Sequence, residues 1–168
     1  MLFLTQKTSL VENEIVTNKP ICETDGNGDK RWYLNGKLHR TDGPAIEWID
    51  GSKSWYLNGE RHRTDGPAVE RSNGDKRWYL NGKLHRTDGP AVERPEGTKV
   101  WYLNDKYVDG PAIEYANGYK AWFLNGKLHR TDGPAVELAD GTKEWYLNGK
   151  EVQMEDVIPD PKDQFGGE

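Results

Sequence analysis

Apolar and polar residues alternate along most of this chain, and the alternation restarts at a regular interval. In the segment PAIEWIDGSKSWYLNG, which begins at Pro44, apolar residues are spaced by two on either side of an Asp-Gly pair. A period of two is typical of a half-buried β-strand, and Asp-Gly between two such runs favours a tight hairpin. The pattern therefore predicts a β-hairpin as the basic unit of the structure.

The hairpin pattern occurs six times, and a tryptophan marks each copy. The spacings are 23, 23, 23, 21 and 23 residues between Trp32, Trp55, Trp78, Trp101, Trp122 and Trp145. A fixed period indicates a repeat architecture, in which each copy stacks on its neighbours. We expect an all-β fold: a single elongated, twisted antiparallel meander sheet built from six tandem β-hairpin repeats, left open at its ends.

The repeats divide the chain into three segments. Residues 20–152 hold the six repeats, residues 1–19 are expected to cap the first hairpin, and residues 153–168 are expected to form an acidic cap or flexible tail. A cap is needed because the unpaired edges of an open sheet invite pairing with other chains. Uncapped edges would allow self-association.

The turn residues give a register for the strands. If Asp50 and Gly51 are the two central residues of a turn, Ile46 lies opposite Trp55, and the same count applies to the later units. That register predicts one face of Trp, Val and Leu and an opposite face of Ala, Glu and Tyr. It makes NGKLHRTDGPA a long connection, with a strained backbone angle expected at its second glycine, which is Gly43, Gly66, Gly89, Gly110 or Gly133. The first unit is expected to carry one extra residue near Gly26.

Composition narrows the class of protein. The net charge is −5, the charged fraction is 30% and the aromatic fraction is 11%, which indicates a folded chain with much surface and a narrow aromatic core. The single cysteine, Cys22, excludes an intrachain disulfide and is expected to be a small buried residue of the first unit. The first residues form neither a signal peptide nor a membrane span, so we expect a soluble, cytoplasmic protein.

The repeated His-Arg-Thr-Asp run raises the question of catalysis or metal binding. It begins at His39, His62, His85 and His129. Equivalent residues of successive hairpins should lie about 9–10 Å apart, too far to share a zinc ion whose ligands lie about 2 Å away. No nucleophile, phosphate-loop or zinc-protease motif is present. We therefore expect no metal, no cofactor and no catalytic residue, and interpret the protein as a non-enzyme.

Two periodic sets of residues remain as candidate binding groups. One is a basic stripe along the loop edge, which favours nucleic acid or anionic lipid as an alternative partner. It contains Arg40, Arg63, Arg86 and Arg130 together with Lys37, Arg61, Lys83, Lys106 and Lys127. The other is a row of aromatic residues, a type that dominates protein–protein interfaces: Tyr33, Tyr56, Tyr79, Tyr102, Phe123 and Tyr146. Tyr107 adds an aromatic residue in the shortened fourth unit, where the His-Arg-Thr run is lost.

The repeat resembles a known family. A 23-residue unit with Trp, Asn-Gly-Lys, His and a Asp-Gly turn in this order is similar to the MORN repeat, over about residues 20–152. Its Arg-Thr-Asp-Gly-Pro-Ala run departs from the usual MORN pattern and is similar to MORN-like repeats of bacterial antitoxin-type proteins and of large-phage and giant-virus proteins. The resemblance implies a β-hairpin array that binds another protein, and most concretely a phage-encoded inhibitor or antitoxin-type neutraliser.

Overall fold

The structure, a computed structural model, describes residues 19–157. The strands of the first three units are β1 (Ile21–Thr24), β2 (Lys30–Leu34), β3 (Lys37–Leu38), β4 (Ile46–Glu47), β5 (Lys53–Ser54), β6 (Tyr56–Leu57), β7 (Glu60–Arg61), β8 (Val69–Glu70), β9 (Lys76–Arg77), β10 (Tyr79–Leu80) and β11 (Lys83–Leu84). The later strands are β12 (Val92–Glu93), β13 (Lys99–Val100), β14 (Tyr102–Leu103), β15 (Lys106–Tyr107), β16 (Gly110–Glu114), β17 (Lys120–Leu124), β18 (Lys127–Leu128), β19 (Val136–Glu137), β20 (Lys143–Leu147) and β21 (Lys150–Val152). One helical turn, α1 (Met154–Val157), follows.

The strands form an open antiparallel meander. Fifteen of them belong to one sheet, whose central path runs in chain order from β1 to β21, and three short hairpins flank it. The predicted all-β meander of repeated hairpins is therefore confirmed. The expected N-terminal cap and most of the expected C-terminal tail fall on residues 1–18 and 158–168, which lie outside the described residues.

The predicted register is wrong by one residue. Ile46 pairs with Ser54, not with Trp55, and Val69, Val92, Ile113 and Val136 pair with Arg77, Val100, Ala121 and Glu144. The reason is the turn: Trp48 N–H donates to Ser52 O and Gly51 N–H to Trp48 O, so the loop has three residues. Gly51, with φ of 86°, closes it as a left-handed bulge residue. The first unit has the same loop, around Gly28, and therefore no extra residue within its turn.

The shift by one residue exchanges the predicted faces, because successive strand residues point to opposite sides. The β-branched residues share a face with the tyrosines: buried Val92, Val100, Ile113 and Ala121 pack against Leu84, Tyr102, Tyr107, Tyr119, Phe123 and Leu128. We call this side the tyrosine face. The six repeated tryptophans, from Trp32 to Trp145, lie on the other side with the glutamates at the position of Glu47, and we call that side the tryptophan face.

A row of alternating charges crosses the tryptophan face. Lys30 pairs with Glu47, Glu47 with Lys53, and Lys53 with Glu70, and this order continues strand by strand to Lys143. Opposite charges that face each other across strands contribute roughly 0.2–1 kcal/mol each. The row holds successive hairpins in one register, because a slip of one residue would place these charges on the opposite face.

Each unit contains a second hairpin within the segment that the sequence assigns to a long connection. Asn58 and Gly59 have φ of 52° and 90°, so they form a two-residue turn between β6 and β7. Equivalent turns lie at Asn35-Gly36, Asn81-Gly82, Asn104-Asp105, Asn125-Gly126 and Asn148-Gly149. Neighbouring copies of this hairpin bond to each other, since Arg40 N–H donates to Tyr56 O and Gly59 N–H to Leu38 O.

The prediction for Cys22 is also wrong. Cys22 pairs with Trp32 on the outermost described strand, β1, and its side chain is exposed. In the corrected register Glu23, opposite Arg31, holds the position that Val69 has opposite Arg77. The first strand therefore lacks the buried β-branched residue of the later units.

Candidate binding surface

Four arginines on the tryptophan face are held in similar clamps, of which the one around Arg130 is looser, with its Nη1 3.8 Å from Glu137 Oε1. The Arg63 guanidinium lies 4.0 Å from the centre of the Trp55 ring. Its Nε donates to Asp65 Oδ1 at 2.9 Å, and its Nη1 donates to Pro67 O at 3.2 Å and to Glu70 Oε1 at 2.8 Å. Arg40, Arg86 and Arg130 lie over Trp32, Trp78 and Trp122 with equivalent partners. We call each set an arginine clamp.

The clamps account for the charges of four arginines of the predicted basic stripe. A hydrogen bond from the clamp arginine holds the pKa of its partner carboxyl below the usual range at Asp42, Asp65, Asp88 and Asp132. Each guanidinium is thus neutralised within its own unit. The four arginines that the sequence singles out lie on the face opposite the tyrosine row, so the structure separates the two sets of candidate residues.

The glycine that follows each clamp aspartate is needed for space. A Cβ built on Gly66 would lie 2.9 Å from Arg63 Cζ, and the same holds at Gly89 and Gly133, with 3.0 Å at Gly43. Of the five glycines at which the sequence suggested a left-handed backbone angle, only Gly110 has one, with φ of 103°. The other four glycines therefore make room for the guanidinium.

The histidines hold the neighbouring turn. His39, His62 and His129 each accept through Nδ1 a hydrogen bond from the backbone N–H of Asn58, Asn81 and Asn148, at 3.1, 3.3 and 3.0 Å. In the shortened fourth unit Asp109 Oδ1 takes this role and accepts from Asn125 N–H at 2.7 Å. The loop aspartates contact arginine, which gives the His-Arg-Thr-Asp run a structural arrangement in each unit.

The tyrosine row forms a continuous strip on the opposite face. Across strands Tyr33 faces Leu38, Tyr56 faces Arg61, Tyr79 faces Leu84, Tyr102 faces Tyr107 and Tyr146 faces Glu151. Arg61 lies between two rings, 5.7 Å from the centre of Tyr56 and 5.4 Å from that of Tyr79. The structure thus brings the predicted tyrosines together, and Tyr107 joins them.

The fourth and fifth units carry an aromatic cluster on this face. The Tyr107 ring stacks on Tyr102 at 4.9 Å and on Phe123 at 4.5 Å, and Tyr115 stacks on Tyr119 at 5.1 Å. Burial raises the pKa of Tyr102 and of Tyr119 above the usual value. Tyr115 remains 42% exposed, which leaves one edge of the cluster open to a partner.

Differences between the units are concentrated on the tyrosine face. Among the positions that change in chemical type, four per unit lie on this face, and in the second unit they are Trp48, Ser52, Ser54 and Arg61. The equivalents are Arg71, Asp75, Arg77 and Leu84 in the third unit, Arg94, Thr98, Val100 and Tyr107 in the fourth, Tyr115, Tyr119, Ala121 and Leu128 in the fifth, and Leu138, Thr142, Glu144 and Glu151 in the sixth. The residues at the positions of Glu47, Lys53, Trp55 and Leu57, by contrast, are the same in the second to sixth units.

The variable positions form a floor and a rim. The floor is the position of Ser54 in each unit, and short side chains there are buried, as Ser54, Val100 and Ala121 are. The rim is the position of Trp48 in each unit, beside the floor, and it carries longer side chains, of which Arg71, Arg94 and Tyr115 are exposed. Along this face the second and third units contribute arginines, the fourth and fifth contribute aromatic rings, and the sixth contributes Glu144 and Glu151. An alignment of the six repeats with one another reveals these variable positions from the sequence. Only the correct register shows that they share a face.

Open cavities lie between neighbouring clamps on the tryptophan face. One of about 490 Å³ has Trp78 and Leu80 as its floor and the loops of Arg63 and Arg86 as its walls. Another of about 440 Å³ repeats this arrangement over Trp55 and Leu57. Within residues 19–157 no group of three or more His, Cys, Asp or Glu side chains is placed to hold a metal ion. In the same range no helix has the length and apolar character needed to cross a membrane.

Comparisons with known proteins add no family. The sequence matches no family model, and a comparison with curated proteins found no match. The fold and the two faces are therefore the basis for any functional conclusion.

Proposed function

We propose that this chain is a non-enzymatic binding protein whose tyrosine face docks on another protein. The observation that carries the proposal is the concentration of repeat-to-repeat differences on that face. In a repeat array the shared residues maintain the stacking, so differences on one surface are free to distinguish a partner. The shared tryptophan face, with its clamps and charge row, supplies the scaffold.

The chemistry of the tyrosine face supports this assignment. Tyrosine and arginine are enriched among the residues that dominate protein interfaces, and an aromatic cluster beside arginines is the usual composition of such a centre. Tyr107, Tyr115 and Tyr119 provide the cluster, while Arg71 and Arg94 stand exposed beside it. The resemblance of the repeats makes inhibition or neutralisation of the bound protein the most concrete form of this function.

The alternative, electrostatic docking on nucleic acid or anionic lipid, draws less support. Its candidate groups include the clamp arginines, and each of these already donates a hydrogen bond to an aspartate of its own unit. A phosphate group would have to displace an aspartate or a glutamate to reach them. Among the described residues, most rim residues of the tyrosine face have no carboxylate of the chain that a partner would have to displace in this way.

Affinity capture from native lysate tests the proposal. The tagged full chain is incubated with nuclease-treated lysate, washed at low and at high salt, and the recovered proteins are quantified by mass spectrometry. We expect one protein in stoichiometric amount that survives both treatments. Recovery that disappears with nuclease or high salt would contradict the proposal and favour the electrostatic alternative, because phosphate binding weakens steeply with salt.

A further inference from the structure

The fourth unit retains the acceptor groups of an arginine clamp and has lost the arginine. In the four complete clamps the guanidinium rests on a tryptophan ring and contacts an aspartate, a proline carbonyl and a glutamate. The sequence equivalents around the shortened loop are Trp101, Asp109, Pro111 and Glu114. Asp109 already accepts a hydrogen bond from Asn125 N–H, so Trp101, the Pro111 carbonyl and Glu114 remain for a guanidinium. Among the described residues, no guanidinium lies over the Trp101 ring, whereas Trp32, Trp55, Trp78 and Trp122 each carry one.

Gly110 occupies the backbone position that arginine holds in the other units. Arg63 N–H donates to Tyr79 O and Arg86 N–H donates to Tyr102 O, each joining the strand of the next unit. In the fourth unit Gly110 pairs with Phe123, the residue equivalent to those tyrosines. A Cβ built on Gly110 would meet no heavy atom within 4 Å, so the space beside it is open.

The loss of the loop also uncovers the surroundings. Leu103 is 37% exposed, while the equivalent Leu57, Leu80 and Leu124 are half-buried. Pro111 is exposed, while the equivalent Pro44, Pro67 and Pro90 are half-buried. Glu114 lies in the charge row between Lys99 and Lys120 and has its ion pair with Lys120 at 3.8 Å, where Glu70 has Arg63 at 2.8 Å. The result is an apolar, partly negative site with an aromatic ring beside it.

We propose that this site, formed by Trp101, Glu114 and the Pro111 carbonyl, binds an arginine side chain of a protein partner. The four clamps show which group these acceptors accommodate when it is supplied by the chain itself. A planar guanidinium can stack on an indole ring while it donates to a carboxylate, and an ammonium group cannot do both in the same way. The inference rests on the proposed function in one respect, namely that a bound protein delivers the arginine.

Fluorine NMR of the full chain labelled with 5-fluorotryptophan provides the test. The probe is N-acetyl-arginine amide, with N-acetyl-lysine amide as the matched control, and Trp101→Phe assigns the Trp101 resonance. We expect the arginine probe to shift the Trp101 resonance saturably and to leave the resonances of the four clamped tryptophans unchanged. Trp145 should not respond either, because the sixth unit lacks the following Pro and Glu of the clamp. A Trp101 resonance that does not move, or that moves only together with all the others, would overturn the proposal.

Two variants sharpen the test. Glu114→Gln removes the carboxylate, and we expect it to weaken the response to the arginine probe about two- to fivefold, the range for an exposed ion pair. Replacing Val108 by His-Arg-Thr restores the loop of the third unit, and we expect it to abolish the response because the chain then fills its own site. If the restored-loop protein, shown folded by its amide spectrum, still responds like the original, the site is elsewhere. That result would not contradict the proposed docking on the tyrosine face, because lysate capture tests that proposal separately.

Discussion

At the scale of single residues, the arginine clamp explains most of the repeated sequence. Arg63 joins a ring and an aspartate of its own unit to a proline carbonyl and a glutamate of the next unit, so Trp, Arg, Asp, Gly, Pro and Glu recur together. Gly66 belongs to the same set because a side chain there would collide with the guanidinium. The repeat is therefore conserved within the chain as one interacting group of residues.

A double-mutant cycle tests the link between Arg63 and Gly66. Arg63→Ala should lower the free energy of unfolding by about 1–2 kcal/mol, the sum expected for one cation–π contact and exposed ion pairs. Gly66→Ala should cost a similar or smaller amount, because its methyl group displaces the guanidinium from Trp55. The double variant should cost no more than Arg63→Ala alone, since both changes remove the same contacts.

Urea unfolding of the four proteins measures this cycle. Arg71→Ala is the matched control: Arg71 is exposed at a turn of the tyrosine face, and its replacement should change stability little. Strictly additive effects of Arg63→Ala and Gly66→Ala would show that Gly66 acts through its backbone instead.

At the scale of elements, the turn decides which residues share a face. Three-residue loops end in a glycine at positive φ, as Gly28 and Gly51 do with φ of 94° and 86°. A two-residue loop at the same place would move every side chain of the following strand to the other side. The glycine of the turn thus controls the composition of both faces.

The first turn offers two glycines for a matched comparison. Gly28→Ala should cost about 1–2 kcal/mol of unfolding free energy, because an alanine is strained at φ of 94°. Gly26→Ala should be neutral or slightly stabilising, because Gly26 has no positive φ and a Cβ there would meet nothing within 4 Å. Thermal unfolding of both variants provides the measurement, and equal losses would contradict the assigned turn.

The sequence predicted the repeat, the hairpins and the open meander, because period and turn residues are local signals. It did not predict the register, because Asp50-Gly51 fits a two-residue and a three-residue loop equally well, and only the bonds of Trp48 distinguish them. The second hairpin has a clear sequence signal in Asn58-Gly59, because Asn-Gly is typical of a two-residue hairpin turn. The arginine clamps could not be predicted, since they depend on Arg63 reaching a ring and a glutamate on other strands.

The candidate binding residues likewise divide into those that the sequence period predicts and those that it does not. The row from Tyr33 to Tyr146 follows from period alone and appears in the structure as one strip. Its neighbours across the turns do not follow, because Trp48 reaches the tyrosine face only in the corrected register and Arg61 only through the second hairpin. The open site at Trp101 could not be predicted from the sequence, because it is recognised only from the arginine that four other units place over their tryptophan rings.

At the scale of the whole molecule, the two faces have separate roles in this account. The tryptophan face repeats its clamps and its Lys/Glu row, which fix the stacking of the hairpins. The tyrosine face changes from arginines through aromatic rings to glutamates along the array. A partner that contacts several units would therefore bind in one position and one direction, because no two adjacent units present the same side chains.

The most direct test of this division compares two sets of substitutions in the capture experiment. The first set, Tyr107→Leu, Tyr115→Arg and Tyr119→Thr, removes the aromatic cluster with residue types that other units already carry at the same positions, at Leu84, Arg71 and Thr98. The second set, Lys37→Gln, Lys83→Gln and Lys127→Gln, removes charge from the loop edge. Both proteins should fold, and circular dichroism checks this before capture.

The account predicts that the aromatic set lowers recovery of the partner at least about tenfold, as loss of an interface centre does. It also predicts that the loop-edge set binds as well as the original chain. Full recovery by the aromatic set, or loss of binding by the loop-edge set alone, would contradict the assignment of the tyrosine face as the docking surface.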